Sequence, residues 1–309
     1  MNDSAVLNQR LGVQFVQVEG DAAGQRIDNF LSSRLKGVPK SRIYKMIRSG
    51  EVRVNKGRVK PTDKLGFGDT VRIPPVILDN KPMTPPSWLL AQIEASILAE
   101  TEHYYVINKP SGLAVHAGSG IEYGLIEGLC VLKDNPKLSL AHRIDRDTSG
   151  LVLVAKNRLS LNAAVEAFKR RQVTKRYQTL HSKALDRSHE VDLRLSRDHE
   201  EGGERLVKVD PEGQEALSIF TPLKTIDGFT RCAVDIHTGR THQIRVHSLA
   251  LSAPLVGDQK YGVKGVNADF KKRGFKHMFL HSSLLALNPE GFEPLNFKID
   301  VPDNWGKYK

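Results

Sequence analysis

The chain has 309 residues, 39% hydrophobic and 26% charged, with a formal net charge of +11. No apolar run approaches the roughly 20 residues that span a bilayer, and residues 1–19 lack the apolar core of a secretory leader. Two cysteines, Cys130 and Cys232, without a Cys-x-x-Cys pair argue against a disulfide framework or a structural zinc. The expectation is therefore a reducing, cytoplasmic setting, no membrane, and a polyanionic partner for the positive charge.

The length suits one large and one small domain, and the charge is unevenly shared between them. Residues 24–78 hold thirteen Lys and Arg against four Asp and Glu, which is +9 of the +11. Residues 1–23 read as a loose N-terminal arm with one short strand over residues 13–18. Ile27, Phe30, Leu31 and Leu35 are spaced as one face of a helix. A second helix follows Pro39, with Ser41 as N-cap, Ile43, Met46 and Ile47 inward, and Gly50 as its stop. Val52 and Val54 alternate with Arg53 and Asn55, and Val71 and Ile73 flank Arg72, so two strands are expected. Such a module turns cations outward, either as a solvated basic face or as a phosphate-binding surface that gains by releasing counterions.

Residues 79–92, with Pro82, Pro85 and Pro86, read as a linker, and residues 93–309 as the larger domain. Near its start an amphipathic segment (89–98) precedes a strand over residues 104–108. Pro110 and Gly112 then fix a turn, beside which Lys109 is either an offered cation or an ordinary surface lysine. In His142-Arg143-Ile144-Asp145-Arg146-Asp147-Thr148-Ser149-Gly150 the carboxylate of Asp145 is flanked by Arg143 and Arg146, which favours its ionised form. It suits a nucleophile or a general base, or it merely pairs with its arginines. The charge-free run Leu151 to Ala155 reads as a buried strand entered through a Thr148-Ser149-Gly150 turn.

Leu161, Ala164, Val165 and Phe168 mark a helix face, and Lys175-Arg176-Tyr177 opens another strand, where a tyrosine is usually core. Residues 185–230 read as strands and loops, with Gly202-Gly203 as a turn and Gly213 opening a strand toward Phe220. From Thr238 to His247, Thr241 can cap a helix that carries Gln243 and Arg245. His242 and His247 stand five apart and do not share a helical face, so a zinc pair is not expected.

These stretches carry a resemblance. HRIDRDTSGLVLVAK, the Lys109-to-His116 segment and GRTHQIRVH resemble the motifs of the RluA-type pseudouridine synthases, which isomerise uridine in RNA. GQRIDNFL, PKSRIYKMIRSGEVRVN and GDTVRI are similar to the RNA-binding module named after ribosomal protein S4. The resemblance implies that Asp145 is catalytic, that Tyr177 stacks on a flipped base, that Arg245 pairs with Asp145, and that Arg143 fills the gap or holds the flipped backbone. His142, Lys109, Arg240 and Gln243, with Arg42, Lys45 and Arg53 of the basic module, are expected to hold the RNA. Two departures, Ser252-Ala253-Pro254 and His281-Ser282-Ser283, are expected to lie away from the chemistry.

The implied fold class is α+β: a small S4-type RNA-binding domain plus a catalytic domain on a large mixed, mainly antiparallel sheet. The implied partner is large-subunit ribosomal RNA, bound by a monomer that needs no cofactor or metal. A non-catalytic RNA-binding assembly factor would not require Asp145, Tyr177 and Arg245 to occur together. A metal-dependent nuclease using Asp145 and Asp147 would set its cation against the neighbouring arginines.

Overall fold

The computed structural model describes residues 9–35, 38, 40–78, 85–118, 121–199 and 205–309. Contacts divide the chain into two compact units, residues 1–84 and 85–309. The first contains β1 (Gln9–Leu11), β2 (Gln14–Gln17), α1 (Ile27–Arg34), α2 (Lys40–Arg48), β3 (Arg53–Val54), β4 (Thr70–Ile73) and β5 (Val76–Leu78). Strands β2, β4 and β3 form an antiparallel sheet in that order, and β1 pairs with β5. The two predicted helix faces meet there, since Ile27, Phe30, Leu31, Ile43, Met46 and Ile47 share one core with Val52, Val71 and Ile73. Gly50 takes the left-handed conformation (φ 75°) that ends α2.

Three expectations change. Helix α2 begins at Lys40, so Ser41 lies inside it rather than capping it. The predicted arm is stitched into the small unit, because β2 supplies an edge strand and Val18 is fully buried. Residues 79–84 of the predicted linker lie outside the described residues. Its remainder starts α3 (Ser87–Ala95), whose Leu89 and Ile93 are buried in the large unit, so apolar spacing overrides the prolines there.

The second unit continues with β6 (Ile97–Glu100), β7 (Tyr104–Lys109), α4 (Leu125–Leu132), β8 (Ser139–Leu140), β9 (Ser149–Ala155), α5 (Arg158–Lys169), β10 (Val173–His181) and β11 (His189–Asp192). Then come β12 (Leu195–His199), β13 (Arg205–Val209), β14 (Leu217–Ile226), β15 (Phe229–Ile236), α6 (Gln243–Ala250), α7 (Lys264–Lys272), β16 (Leu280–Leu287) and β17 (Leu295–Lys298). Among the described residues a ten-stranded mixed sheet runs β11-β14-β15-β10-β16-β9-β7-β6, with β17 on β16 and β8 on β9. Gly213 stands in a turn before β14 rather than at its start, and Gly202-Gly203 lies outside the described residues.

Strand β9 is buried at every position. Leu151, Leu153 and Ala155 join Ala164 of α5 in one core, while Val152 and Val154 join Leu125 and Leu129 of α4 in another. Two apolar faces explain why the run tolerates no charge. Among the described residues no helix is long and apolar enough to cross a membrane.

Candidate active site

The site grows from a seam in the large sheet. Strands β9 and β16 run parallel over Ser149–Gly150 against His281–Ser282, whereas their neighbours pair antiparallel. Gly150 has φ 106°, and a Cβ there would fall 2.3 Å from the Ser282 carbonyl oxygen, so only glycine closes the seam. Ser149 and Gly150 thus already belong to β9, and the loop holding Asp145 ends directly on the strand. On the other side of β16, Tyr177 pairs with Ser282 beside a register shift between Arg176 and Tyr177. An irregularity of this kind re-aims a side chain.

Lys109 pins the Asp145 loop from beneath. It is fully buried, and its Nζ donates to the carbonyls of Pro110 (2.9 Å), Leu113 (2.7 Å) and Arg146 (2.9 Å). Burial pushes its pKa down to about 7, with Asp147 and Asp145 pulling the other way. Ser111 Oγ donates to Asp147 O at 2.7 Å, and Gly112 N–H to Arg146 O at 2.9 Å. The expectation that Lys109 binds RNA is corrected, because its three donors are directed at the protein's own backbone.

Arg245, 5% exposed, stands over the loop from α6. Its Nη1 donates to Asp145 Oδ2 at 3.1 Å, while Nε and Nη2 donate to the two oxygens of Asp258 at 2.7 and 2.8 Å. Burial works against the Arg245 charge, but Asp258 and Asp145 outweigh it and hold the pKa above its ordinary value. Burial likewise opposes the Asp258 anion, and Arg245 wins, keeping that carboxyl below the usual range. The ion pairs of Asp145 are with Arg245 and His242 rather than with its sequence neighbours Arg143 and Arg146. Arg146 pairs with Asp147 at 3.1 Å, and Arg143 is an exposed side chain on the pocket wall.

His242 caps α6 in left-handed conformation (φ 54°), displacing Thr241 from the expected role. Its Nε2 is 3.7 Å from Asp145 Oδ2, and its Nδ1 is 2.8 Å from Tyr261 Oη, which accepts from Val207 N–H at 2.9 Å. Burial lowers the His242 pKa, and the attraction of Asp145 pulls it the other way.

Tyr177 completes the constellation, 8% exposed. Its pKa is pushed up to about 12 by burial, with a Ser282 hydrogen bond lowering it and the Asp145 charge raising it. A pocket of about 70 Å³ is lined by Arg143, Asp145, Thr148, Tyr177, Ile236, Arg240, Ile244, Arg245 and Leu280. A larger cavity of about 960 Å³ is lined by Ser111, Arg146, Asp147 and Lys271 but includes neither Asp145 nor Tyr177. The smaller pocket is the candidate site, because carboxylate, aromatic ring and guanidinium converge there.

The remaining predicted residues divide. Arg240 lines the pocket with Nε donating to Glu215 O at 2.9 Å. Gln243 is corrected: its Oε1 accepts from Thr238 Oγ1 and Arg240 N–H, and its Nε2 donates to Leu217 O and Ser218 Oγ, which saturates the amide. His142 is corrected too. It accepts from Leu153 N–H at 3.0 Å and stacks on Phe168, and burial, helped by Lys175, lowers its pKa to about 3. In the small unit Arg42 pairs with Glu51 at 3.1 Å, Arg53 Nε donates to Gly50 O, and Lys45 is exposed.

Sequence reasoning missed Asp258, His242, Tyr261 and Ser282. Asp258 carried no sequence signal of its own, and Ser282, in a departure expected to be remote, sits against Tyr177. Among the described residues no three His, Cys, Asp or Glu side chains gather as a metal site.

The buried arginine that holds a cleft carboxylate beside an aromatic ring, on a large mixed sheet, stands in a chain similar to RNA-modifying enzymes. Residues 103–250 match the family described as RNA pseudouridylate synthase, and residues 25–71 match the S4 domain. The ribosomal large subunit pseudouridine synthase C of Yersinia pestis is 42% identical over 302 residues, covering 94% of this chain and 92% of that protein. That of Pasteurella multocida is 43% identical over 307 residues, covering 97% and 93%. The solved human RNA pseudouridylate synthase domain containing 1 superposes with a TM-score of 0.58 at 26% identity, over 71% of this chain and 86% of the human one. The chain belongs to the RluA-type RNA pseudouridine synthases and carries an S4 domain.

Proposed function

We propose that this protein converts uridines of large-subunit ribosomal RNA to pseudouridine, as a cytoplasmic monomer without a cofactor. The observation that supports it most is the convergence of Asp145, Tyr177 and Arg245 from three separate segments on one pocket. The names of the relatives supply the ribosomal substrate.

The glycosidic bond of a folded RNA is hidden, so the target nucleotide is extruded at a cost of a few kcal/mol. Stacking on an aromatic side chain recovers about 1–3 kcal/mol, the role assigned to Tyr177, while Arg143 and Arg240 on the pocket wall meet the flipped backbone. Asp145 acts at the anomeric carbon, the bond from that carbon to N1 breaks, and uracil turns within the pocket and rejoins through its 5-carbon, which then gives up its proton while N1 gains one, so the change is an isomerisation. Arg245 aims Asp145 and balances its charge, since a carboxylate drawn out of water needs a fixed partner. The small unit holds the RNA through its cations.

The test is Asp145→Asn, which keeps the shape and removes the anion. Ribosomal RNA from a deletion strain, treated with wild-type or variant protein, is mapped by carbodiimide and primer extension. Pseudouridine is expected at specific large-subunit positions with wild-type only. Measurable turnover by the variant overturns the assignment of Asp145.

A further inference from the structure

The small unit has a second face that the residues assigned so far leave largely unused. Strand pairing sets Phe15 of β2 opposite Arg72 of β4, and Arg72 opposite Arg53 of β3, so the three stand in one row across the sheet. The row faces outward, because the alternate residues Val71 and Ile73 are fully buried and Val16 and Val54 pack on the same core. Phe15 is 70% exposed. Around it runs a groove of about 930 Å³, lined also by Arg53, Asn55, Lys56, Thr70 and Arg72.

The groove is cationic and partly rigid. Arg72 Nη1 donates to Glu51 O at 2.6 Å and Arg53 Nε to Gly50 O at 2.9 Å, which fixes both guanidinium groups while leaving further N–H donors for a ligand. Nearby acids are engaged elsewhere: Glu51 with Arg42 and Ser49, Asp69 with Asn55 and the Gly66 N–H. The Asn55 amide is occupied at both ends, donating to Asp69 and accepting from Thr70 N–H. It therefore offers little to read a base edge. What remains is an aromatic face beside fixed cations, the combination that binds single strands through stacking and phosphate contacts with little sequence preference.

We propose that this face binds an unpaired RNA segment, one base stacked on Phe15 and the adjoining phosphates on Arg53, Arg72 and Lys56. The inference rests on the reading that the protein acts on RNA. It adds Phe15 and Arg72, which lie outside the residues 25–71 that match the S4 domain, to cations that lie within them. A second copy of the chain fits the face poorly, because the same three cations would oppose each other. Paired RNA fits poorly as well, because its base faces are already stacked.

The experiment uses the full chain, a short uridine-rich RNA without self-complementarity, and a fully paired RNA hairpin with a tight loop. Phe15→Ala is expected to weaken binding of the unpaired RNA roughly five- to hundredfold, the range of one base–aromatic stack, and to leave the hairpin unchanged. Phe15→Trp is expected to retain binding and to show emission quenched by the unpaired RNA beyond any change in wild-type protein. Lys56→Gln is expected to reduce the slope of log affinity against log salt by about 0.7 for the single strand. Unchanged unpaired-RNA affinity in Phe15→Ala, equal losses for both RNAs, or a wild-type dimer that Phe15→Ala dissociates overturns the proposal. Pseudouridine formation by the same preparations reports separately on the reading beneath it.

Discussion

Arg245 grips Asp258 with two nitrogens and Asp145 with the third, so one buried guanidinium serves two carboxylates of unequal exposure. Asp258 is sealed, while Asp145 is 24% exposed at its side chain and lines the pocket. The sealed partner orients the arginine for the open one. Asp258→Asn removes the fork, and breaking a buried pair costs about 3–5 kcal/mol. We expect a large loss of stability in urea melts and, at temperatures where the variant is folded, a fall in kcat with KM nearly unchanged. Retained kcat would show that Arg245 needs no second carboxylate.

Tyr177 and Ser282 separate ring from hydroxyl. Tyr177→Phe keeps the stacking surface and is expected to bind RNA normally, whereas Tyr177→Ala is expected to lose turnover. Since the Ser282 hydrogen bond holds the Tyr177 pKa down, Ser282→Ala should move the tyrosine titration further alkaline. Ultraviolet difference titration of Ser282→Ala against Tyr177→Phe would detect it, and no displacement would remove Ser282 from the site.

Lys109→Met tests whether that lysine grips RNA or the loop. Losing three hydrogen bonds of about 1 kcal/mol each should cost roughly 3 kcal/mol of stability and lower kcat, because the Asp145 loop loses its support. RNA affinity and its salt slope should stay unchanged. A flattened slope would return Lys109 to the RNA.

Stability should fall as pH drops below about 6.5. Burial lowers His181 and His281 from the ordinary 6.5 to about 4, and a carbonyl contact to each pulls weakly back. Between those values the unfolded chain binds more protons than the folded one, so stability rises with pH across this window and is lost on acidification. Each histidine contributes about 2 kcal/mol of loss at about pH 5. Thermal melts from pH 7 to pH 5 measure it, and a flat Tm would show that both imidazoles accept protons in place.

Local pattern determined much of this protein. The spacing of Ile27, Phe30 and Leu31, and of Ile43, Met46 and Ile47, wrote both small helices, and the charge-free run from Leu151 placed the central strand, because helix and strand periodicities act over a few residues. The three motifs around Asp145, Tyr177 and Arg245 were legible as a family resemblance, and the excess of cations in residues 24–78 was plain arithmetic. Tertiary structure alone decided which charges meet. Asp145 stands two residues from Arg143 and one from Arg146, yet its partner is Arg245, a hundred residues away, on helix α6, which packs on β13 and β14. The same distance hid Asp258, Tyr261 and Ser282, while Lys109, His142 and Gln243, expected RNA ligands, are supports whose hydrogen bonds go to backbone groups and to the Thr238 and Ser218 hydroxyls. Whether a polar side chain faces the substrate or the scaffold depends on which carbonyls the fold leaves beside it, and that is fixed only when distant strands pair.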